Sequence, residues 1–198
     1  MDIEQLIKSG FSVREYRKDS IIYEPGGLPR YVYFIKWGEV RMVTVSDEGK
    51  EFIQGIFKSG QYFGEPAMIV NRRYLAFTIA NKNSQLVAVG KDQFFDLIKQ
   101  DPEFSTGLIQ TLSHRLFYKS MMLEELANEK AEHRLLTIIN YLLIDVKAGE
   151  PLKATRRELA DMTGLRVETV IRGVKVLADK KMITVEKGKI VKAEAFAG

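Results

Sequence analysis

At 198 residues, 45% of them hydrophobic, the chain is long enough to bury one substantial core and a smaller second one. The absence of cysteine excludes disulfides, thiol chemistry, cysteine-ligated zinc and iron–sulfur clusters in one step. The net charge of +4 is unevenly placed: residues 150–198 hold 11 of the 30 Lys and Arg but only 7 of the 26 Asp and Glu, so residues 1–149 are balanced. A basic C-terminal lobe on a neutral body fits a polyanionic partner, although a solvated surface with a chance surplus gives the same count.

The opening MDIEQLIKSG reads as a short helix over residues 2–9. It has neither the basic nor the apolar region of a signal peptide, and no later apolar run reaches the length of a membrane span. A cytoplasmic location and no membrane partner are expected.

Residues 1–100 then read mainly as β-structure. Ser20–Tyr23, Tyr31–Ile35, Val40–Val45, Phe52–Phe57 and Leu86–Val89 are rich in Val, Ile, Tyr and Phe. They are punctuated by Pro25-Gly26-Gly27, Gly38, Asp47-Glu48-Gly49 and Ser59-Gly60, roughly the spacing of an all-β sandwich or barrel. A jelly-roll-like double sheet is the economical expectation.

From about Asp101 the pattern turns helical. Ile109, Leu112, Leu116, Lys119, Leu123 and Leu126 alternate steps of three and four, a heptad seam interrupted by Lys119. Such a seam either pairs two helices in a homodimer or packs onto the chain's own β-domain. Met121 and Met122 add adaptable apolar surface beside it. A further helix over 131–146 carries Leu135, Leu136, Ile138, Ile139, Leu142 and Leu143, and Ala148-Gly149-Glu150-Pro151 ends it.

Residues 155–177 read as two short helices around a tight turn. Thr155 with Glu158 three residues on forms a capping box, and Leu159 and Met162 give that helix one apolar face. Gly164 supplies the break, being free to take positive φ. The second helix buries Val170, Val174 and Leu177, leaving Arg166, Val167, Glu168, Thr169, Arg172 and Lys175 outward. An exposed helix with arginines and a lone glutamate after a glycine turn suits the DNA major groove. Glu168 could instead serve only the helix dipole and pair with Arg172 at i, i+4. Last, Ile183-Thr184-Val185 and Ile190-Val191 flank a turn at Lys187-Gly188, a hairpin whose Lys187 and Lys189 could touch phosphate.

The order of β-roll, seam helix, helix-turn-helix and wing resembles the CRP/FNR family of bacterial transcription regulators across almost the whole chain. Tyr33-Phe34-Ile35 with Gly38-Glu39-Val40, and Gly60-Gln61-Tyr62-Phe63-Gly64-Glu65, resemble the glycine-punctuated turns of that family's cyclic-nucleotide-binding fold. The resemblance implies an α+β architecture: an N-terminal β-roll (a double-stranded β-helix, jelly-roll-like) over 1–100, a dimerisation helix over 101–130 and a winged helix-turn-helix over 131–198. The seam residues Ile109, Leu112, Leu116, Leu123 and Leu126 would then join two copies.

Carried over by position, Glu168 would accept from a cytosine amino group, Arg172 would donate to a guanine and Val167 would meet a thymine methyl. Thr155 and Arg157 would touch phosphates, within a DNA-facing set that also includes Arg166, Thr169, Lys175, Lys187 and Lys189. The Val167-Glu168-Thr169 run is similar to the FNR branch, whereas the catabolite-activator branch has arginine before that glutamate. The implied half-site is TGA-like, duplicated as an inverted repeat by the dimer. Two departures bear on this: Arg166 stands where a Ser or Thr cap is common, and Ile171 where some relatives have a polar base-contacting residue. Double-stranded DNA and, through surface contacts, RNA polymerase are the implied partners.

The effector pocket departs further. Members that bind cyclic AMP have a Gly-Glu pair at a short helix start, then an Arg and a hydroxyl residue on the cyclic phosphate. Gly64-Glu65 is present, yet Tyr74 and Leu75 stand at the Arg and hydroxyl positions, and Pro66 removes one amide. Arg72 and Arg73 lie just upstream, and Lys119 and Ser120 match positions near the nucleotide base. A different small effector, or none, is expected rather than cyclic AMP. An FNR-type iron–sulfur cluster is excluded with the cysteines. His114 and His133, the only histidines, read as surface or packing residues and not haem ligands. With no histidine in the β-domain and no catalytic constellation, an enzyme is not expected. The competing reading is a small-molecule-binding or protein-interaction module without sequence-specific DNA binding. A swivel of the basic lobe about residues near 129–133 is the conformational change to expect if an effector acts.

Overall fold

A computed structural model describes residues 3–45, 47, 51–127, 131–144 and 146–193, with the side chains of Gln5, Met122, Glu125, Leu126 and Ala127 left aside. Leu126 of the expected seam, the Glu48-Gly49 turn and Glu129 of the expected swivel therefore lie outside what is described. The chain packs as two compact units, Met1–Ser113 and His114–Gly198.

The first unit is a two-sheet β-roll. Strands β1 (Ser12–Tyr16), β3 (Tyr31–Trp37), β6 (Tyr62–Phe63) and β8 (Ser84–Gly90) form one sheet in the order β1-β8-β3-β6. Strands β2 (Ile21–Tyr23), β4 (Glu39–Val45), β5 (Glu51–Lys58) and β7 (Phe77–Ala80) form the other in the order β2-β7-β4-β5. All described pairings are antiparallel.

Alternation along β3 and β8 explains their near-continuous burial. Tyr33, Ile35, Leu86 and Ala88 pack with Val40 and Phe63 in one cluster. Val32, Phe34, Val87 and Val89 point to the opposite face. There they meet Leu6 of α1 (Ile3–Lys8), Met68 of α2 (Glu65–Ile69), Phe94 of α3 (Lys91–Gln100), and Phe104 and Leu108 of α4 (Pro102–Ala127). A sheet covered on both faces carries apolar residues at every position, which is why the sequence of these strands does not alternate.

The helical region begins ten residues before the expected switch, at Lys91. Asp101 is the break between α3 and α4: its backbone is extended, as a residue before proline prefers, and its carboxylate accepts from the Phe104 amide at 2.9 Å. Along α4, Leu112 packs against the core of its own unit. Ile109, Leu116 and Leu123, at seven-residue spacing, remain 65, 66 and 70% exposed. Lys119, Ser120 and His114 are also exposed.

The second unit holds α5 (Ala131–Leu143), α6 (Arg156–Thr163), α7 (Val167–Asp179) and the hairpin β9 (Thr184–Glu186) and β10 (Lys189–Val191). Its core is Leu135, Ile138, Ile139 and Leu143 of α5 with Leu159, Val170, Val174, Leu177 and Ile190. No helix among the described residues is long and apolar enough to cross a membrane.

Gly38 sits at the turn between β3 and β4 with φ +106°, and a Cβ there would lie 2.2 Å from Ser84 Oγ and 2.6 Å from its Cα. Gly38→Ala is expected to cost about 3 kcal/mol, because it combines a left-handed backbone with a clash against main chain. A calorimetric melt checks this, and a midpoint equal to that of the parent chain would contradict it.

Candidate functional site

The local chemistry of α6 sets the position of everything after it. Thr155 Oγ1 accepts from the Glu158 amide at 3.1 Å, and the Glu158 carboxylate accepts from the Thr155 amide at 2.8 Å, the expected reciprocal cap. At the other end Gly164 adopts φ +69°, and its amide and that of Leu165 both donate to the Ala160 carbonyl. Thr163, buried, turns its hydroxyl back to the Leu159 carbonyl at 2.6 Å. Two further carbonyls are met from outside: Tyr118 Oη donates to Met162 O at 3.1 Å and Arg134 Nη1 to Thr163 O at 3.3 Å.

Helix α7 follows with Arg166 as its cap residue and no side-chain acceptor there, as expected. Val170, Val174 and Leu177 are buried. Gly173 lets α7 approach α5 closely, since a Cβ would stand 2.8 Å from Leu135 Cδ2. Arg166, Glu168, Arg172 and Lys175 are exposed, and Thr169 is half-buried. Glu168 and Arg172 form no ion pair with each other among the described residues, so the i, i+4 alternative is not what this geometry adopts. Val167 differs from its expected outward placement: it is half-buried and packs against the core. The reason is periodic, because 167, 170, 174 and 177 share one helical stripe.

On the first helix, Thr155 and Arg157 are exposed, and Arg157 lies 3.6 Å from Asp161 one turn on. Burial raises the Asp161 carboxyl above its usual range, opposed by that guanidinium. The wing forms as expected, with Glu186↔Lys189, Val185↔Ile190 and Thr184↔Val191 paired. Lys187 and Gly188 both take positive φ, the two-residue turn that matches strand twist. Arg156, not singled out from the sequence, donates to the Gly188 carbonyl at 3.1 Å and ties the wing tip to the start of α6. Lys187 and Lys189 are exposed beside it. The structure thus gathers Thr155, Arg157, Arg166, Glu168, Arg172, Lys175, Lys187 and Lys189 in one basic unit.

The candidate effector pocket is built differently. Gly64 caps α2 with φ +93°, and Glu65 is fully buried behind it. Tyr74, where the resemblance calls for a guanidinium, is buried with its ring stacked on Tyr23, centroids 3.6 Å apart and planes 8° apart. Its hydroxyl donates to the Tyr31 carbonyl at 3.2 Å, and its backbone pairs with Gly26 and Gly27. Tyr33 stacks on Phe63 at 5.3 Å, Phe57 adds a further ring to Phe63, and Arg14 lies 4.1 Å over the Tyr31 ring. Burial pushes the Tyr74 phenol up to about 12 and also raises Tyr23 and Tyr33, so all three stay neutral at ordinary pH. Arg72 and Arg73 are exposed, and Arg73 donates to the Gly26 carbonyl at 2.6 Å. Leu75, at the hydroxyl position, is 86% exposed. The Tyr23–Tyr74 stack thus occupies the position where the resemblance calls for a guanidinium, and Arg72 and Arg73 lie exposed nearby. From sequence the missing guanidinium was visible, whereas the stack was not, since it pairs residues 51 positions apart.

Comparison with known proteins bears on the two domains. Residues 13–101 match the cyclic nucleotide-binding domain and residues 133–195 the Crp-like helix-turn-helix domain. The global nitrogen regulator of Nostoc sp. is 27% identical over 188 residues, spanning 90% of this chain and 83% of that protein. The cyclic AMP receptor protein of Thermus thermophilus is 26% identical over 190 residues, spanning 96% and 88%. Among solved structures, a CRP/FNR-family transcriptional regulator from Thermus thermophilus superposes with a TM-score of 0.59 at 27% identity, covering 92% of this chain and 94% of that one. With both domains matched in this order, the chain belongs to the CRP/FNR family of DNA-binding transcription regulators.

Proposed function

We propose that this regulator binds an inverted repeat as a homodimer, reading TGA-like half-sites with the outward face of α7 and doing so without cyclic AMP. The observation that carries the reading is the exposed set Arg166, Glu168, Arg172 and Lys175 on a helix whose entry angle is held by the capped, αL-terminated α6. Glu168 accepts from a cytosine amino group and Arg172 donates to guanine O6 and N7. Thr155, Arg157, Lys187 and Lys189 meet phosphates and set register without carrying sequence. Thr169 supports the same face, and Val167 offers only its outer edge to a thymine methyl.

Dimerisation is supported by Ile109, Leu116 and Leu123, three large apolar side chains exposed along one line of α4. Replacing two of them by acid, Leu116→Glu with Leu123→Glu, is expected to convert a dimer to a monomer in sedimentation velocity with helix content retained. A dimer that survives both substitutions would contradict the seam.

The sensor reading follows from the stack of Tyr23 and Tyr74 at the position of the anion-binding guanidinium, which favours a different small effector or none. No step of the proposed action passes through haem, an iron–sulfur cluster or catalysis. A cytoplasmic setting and contact with RNA polymerase complete the proposal.

Selection of sites from random duplex DNA tests the whole reading, with and without cyclic AMP. The parent chain is expected to enrich one inverted repeat equally in both conditions. Glu168→Ala with Arg172→Ala is expected to lose that enrichment, each pair being worth about 1–3 kcal/mol of discrimination, while retaining salt-dependent binding to nonspecific duplex. Enrichment only with cyclic AMP would overturn the sensor reading. Binding without sequence preference or salt dependence would favour the interaction-module reading.

A further inference from the structure

A helix leaves its last carbonyls without intrahelical partners, and whatever satisfies them fixes where that end points. At the end of α6 one of those partners comes from the seam helix. Tyr118 Oη donates to Met162 O at 3.1 Å, two residues before the Gly164 turn. Tyr118 lies on α4 between Leu116 and Leu123, both exposed on the seam line, and its own ring turns the other way. That ring lies against Tyr141 of α5, centroids 5.6 Å apart, and Met121, three residues on, packs on the same core. The hydroxyl is held in mostly apolar surroundings, which push its pKa up to about 12 and keep it a donor. One helix therefore carries the proposed dimer contacts on one side and a polar grip on the reading head on the other.

We propose that Tyr118 is a positioning residue that sets the half-site spacing this regulator accepts. The proposal rests on the dimeric DNA-binding reading above. Inserting one base pair between half-sites displaces one of them by roughly 3.4 Å and rotates it by about 35°. To follow, α6 and α7 must shift against the seam helix, which breaks the Tyr118 bond and leaves the Met162 carbonyl without it. A neutral hydrogen bond of this kind changes an equilibrium by about 2- to 12-fold, and a dimer holds two of them.

Tyr118→Phe tests this while keeping the ring and its packing. Binding is measured on inverted repeats carrying the selected spacer and spacers one base pair shorter or longer. The ratio of affinities between the best and the altered spacers is expected to fall by about fivefold or more in the variant. An unchanged ratio would overturn the proposal. A second readout needs no DNA: hydrogen exchange at the Gly164 and Leu165 amides, with Ile138 and Ile139 of α5 as internal reference. Faster exchange confined to the turn is expected, and exchange equal to that of the parent chain would overturn the grip itself. Should the parent chain enrich no site, the dimeric reading fails, while the exchange result still decides whether Tyr118 holds the turn.

Discussion

The end of α6 is the constraint on which the reading head depends, because a left-handed glycine can turn the chain there but cannot by itself fix the direction it leaves in. Gly164 and Leu165 share the Ala160 carbonyl, Thr163 returns its hydroxyl to Leu159, and Tyr118 of α4 and Arg134 of α5 take the Met162 and Thr163 carbonyls. With each of those groups satisfied, α7 has a defined entry angle even though Arg166 gives it no side-chain cap. The inner stripe of α7 then buries Val170, Val174 and Leu177, which fixes its rotation and turns Glu168 and Arg172 outward. The proposed base recognition needs both quantities set before DNA arrives, since discrimination depends on donors and acceptors held in place.

A second constraint governs the N-terminal unit. Its central strands β3 and β8 are covered on both faces, by the opposite sheet and by the surrounding helices. Such a sheet has little freedom to rearrange, so the loops at its rim decide what the roll can hold. At that rim Tyr74 stacks on Tyr23 and bonds the Tyr31 carbonyl. Placing a cyclic phosphate there would mean breaking the stack and setting a charge among neutral phenols without a guanidinium at the family's position. In the proposed reading, the family's architecture is kept while aromatic side chains stand at the position of its anion site.

Which parts were legible in the sequence follows from the range of the interactions involved. Thr155 with Glu158, Gly164, and the period of Val170, Val174 and Leu177 are local signals, and each sits where the sequence places it. The same period also includes Val167, whose half-buried position was open to view but was outweighed by its place in the recognition run. Strands dense in β-branched and aromatic residues were readable. By contrast β1, with Arg14 and Glu15, the two-residue β6 and the four-residue β7 carry too little pattern. Helix α3, polar at both ends, gave no clear seam, and its separation from α4 rests on Asp101 before Pro102. Contacts across long separations, such as Tyr23 with Tyr74, Tyr118 with Met162 and Arg156 with Gly188, have no signature in spacing at all.

Base reading by α7 is the central claim, and an analogue that removes one acceptor from one base tests it most directly. Binding is measured on the selected site with 7-deazaguanine in place of the guanine assigned to Arg172, for the parent chain and for Arg172→Ala. The account predicts that the parent chain loses roughly tenfold in affinity on the modified site, whereas Arg172→Ala binds both sites alike, since the missing N7 no longer has a donor. Equal affinity of the parent chain for both sites, or the same loss in both proteins, would contradict it.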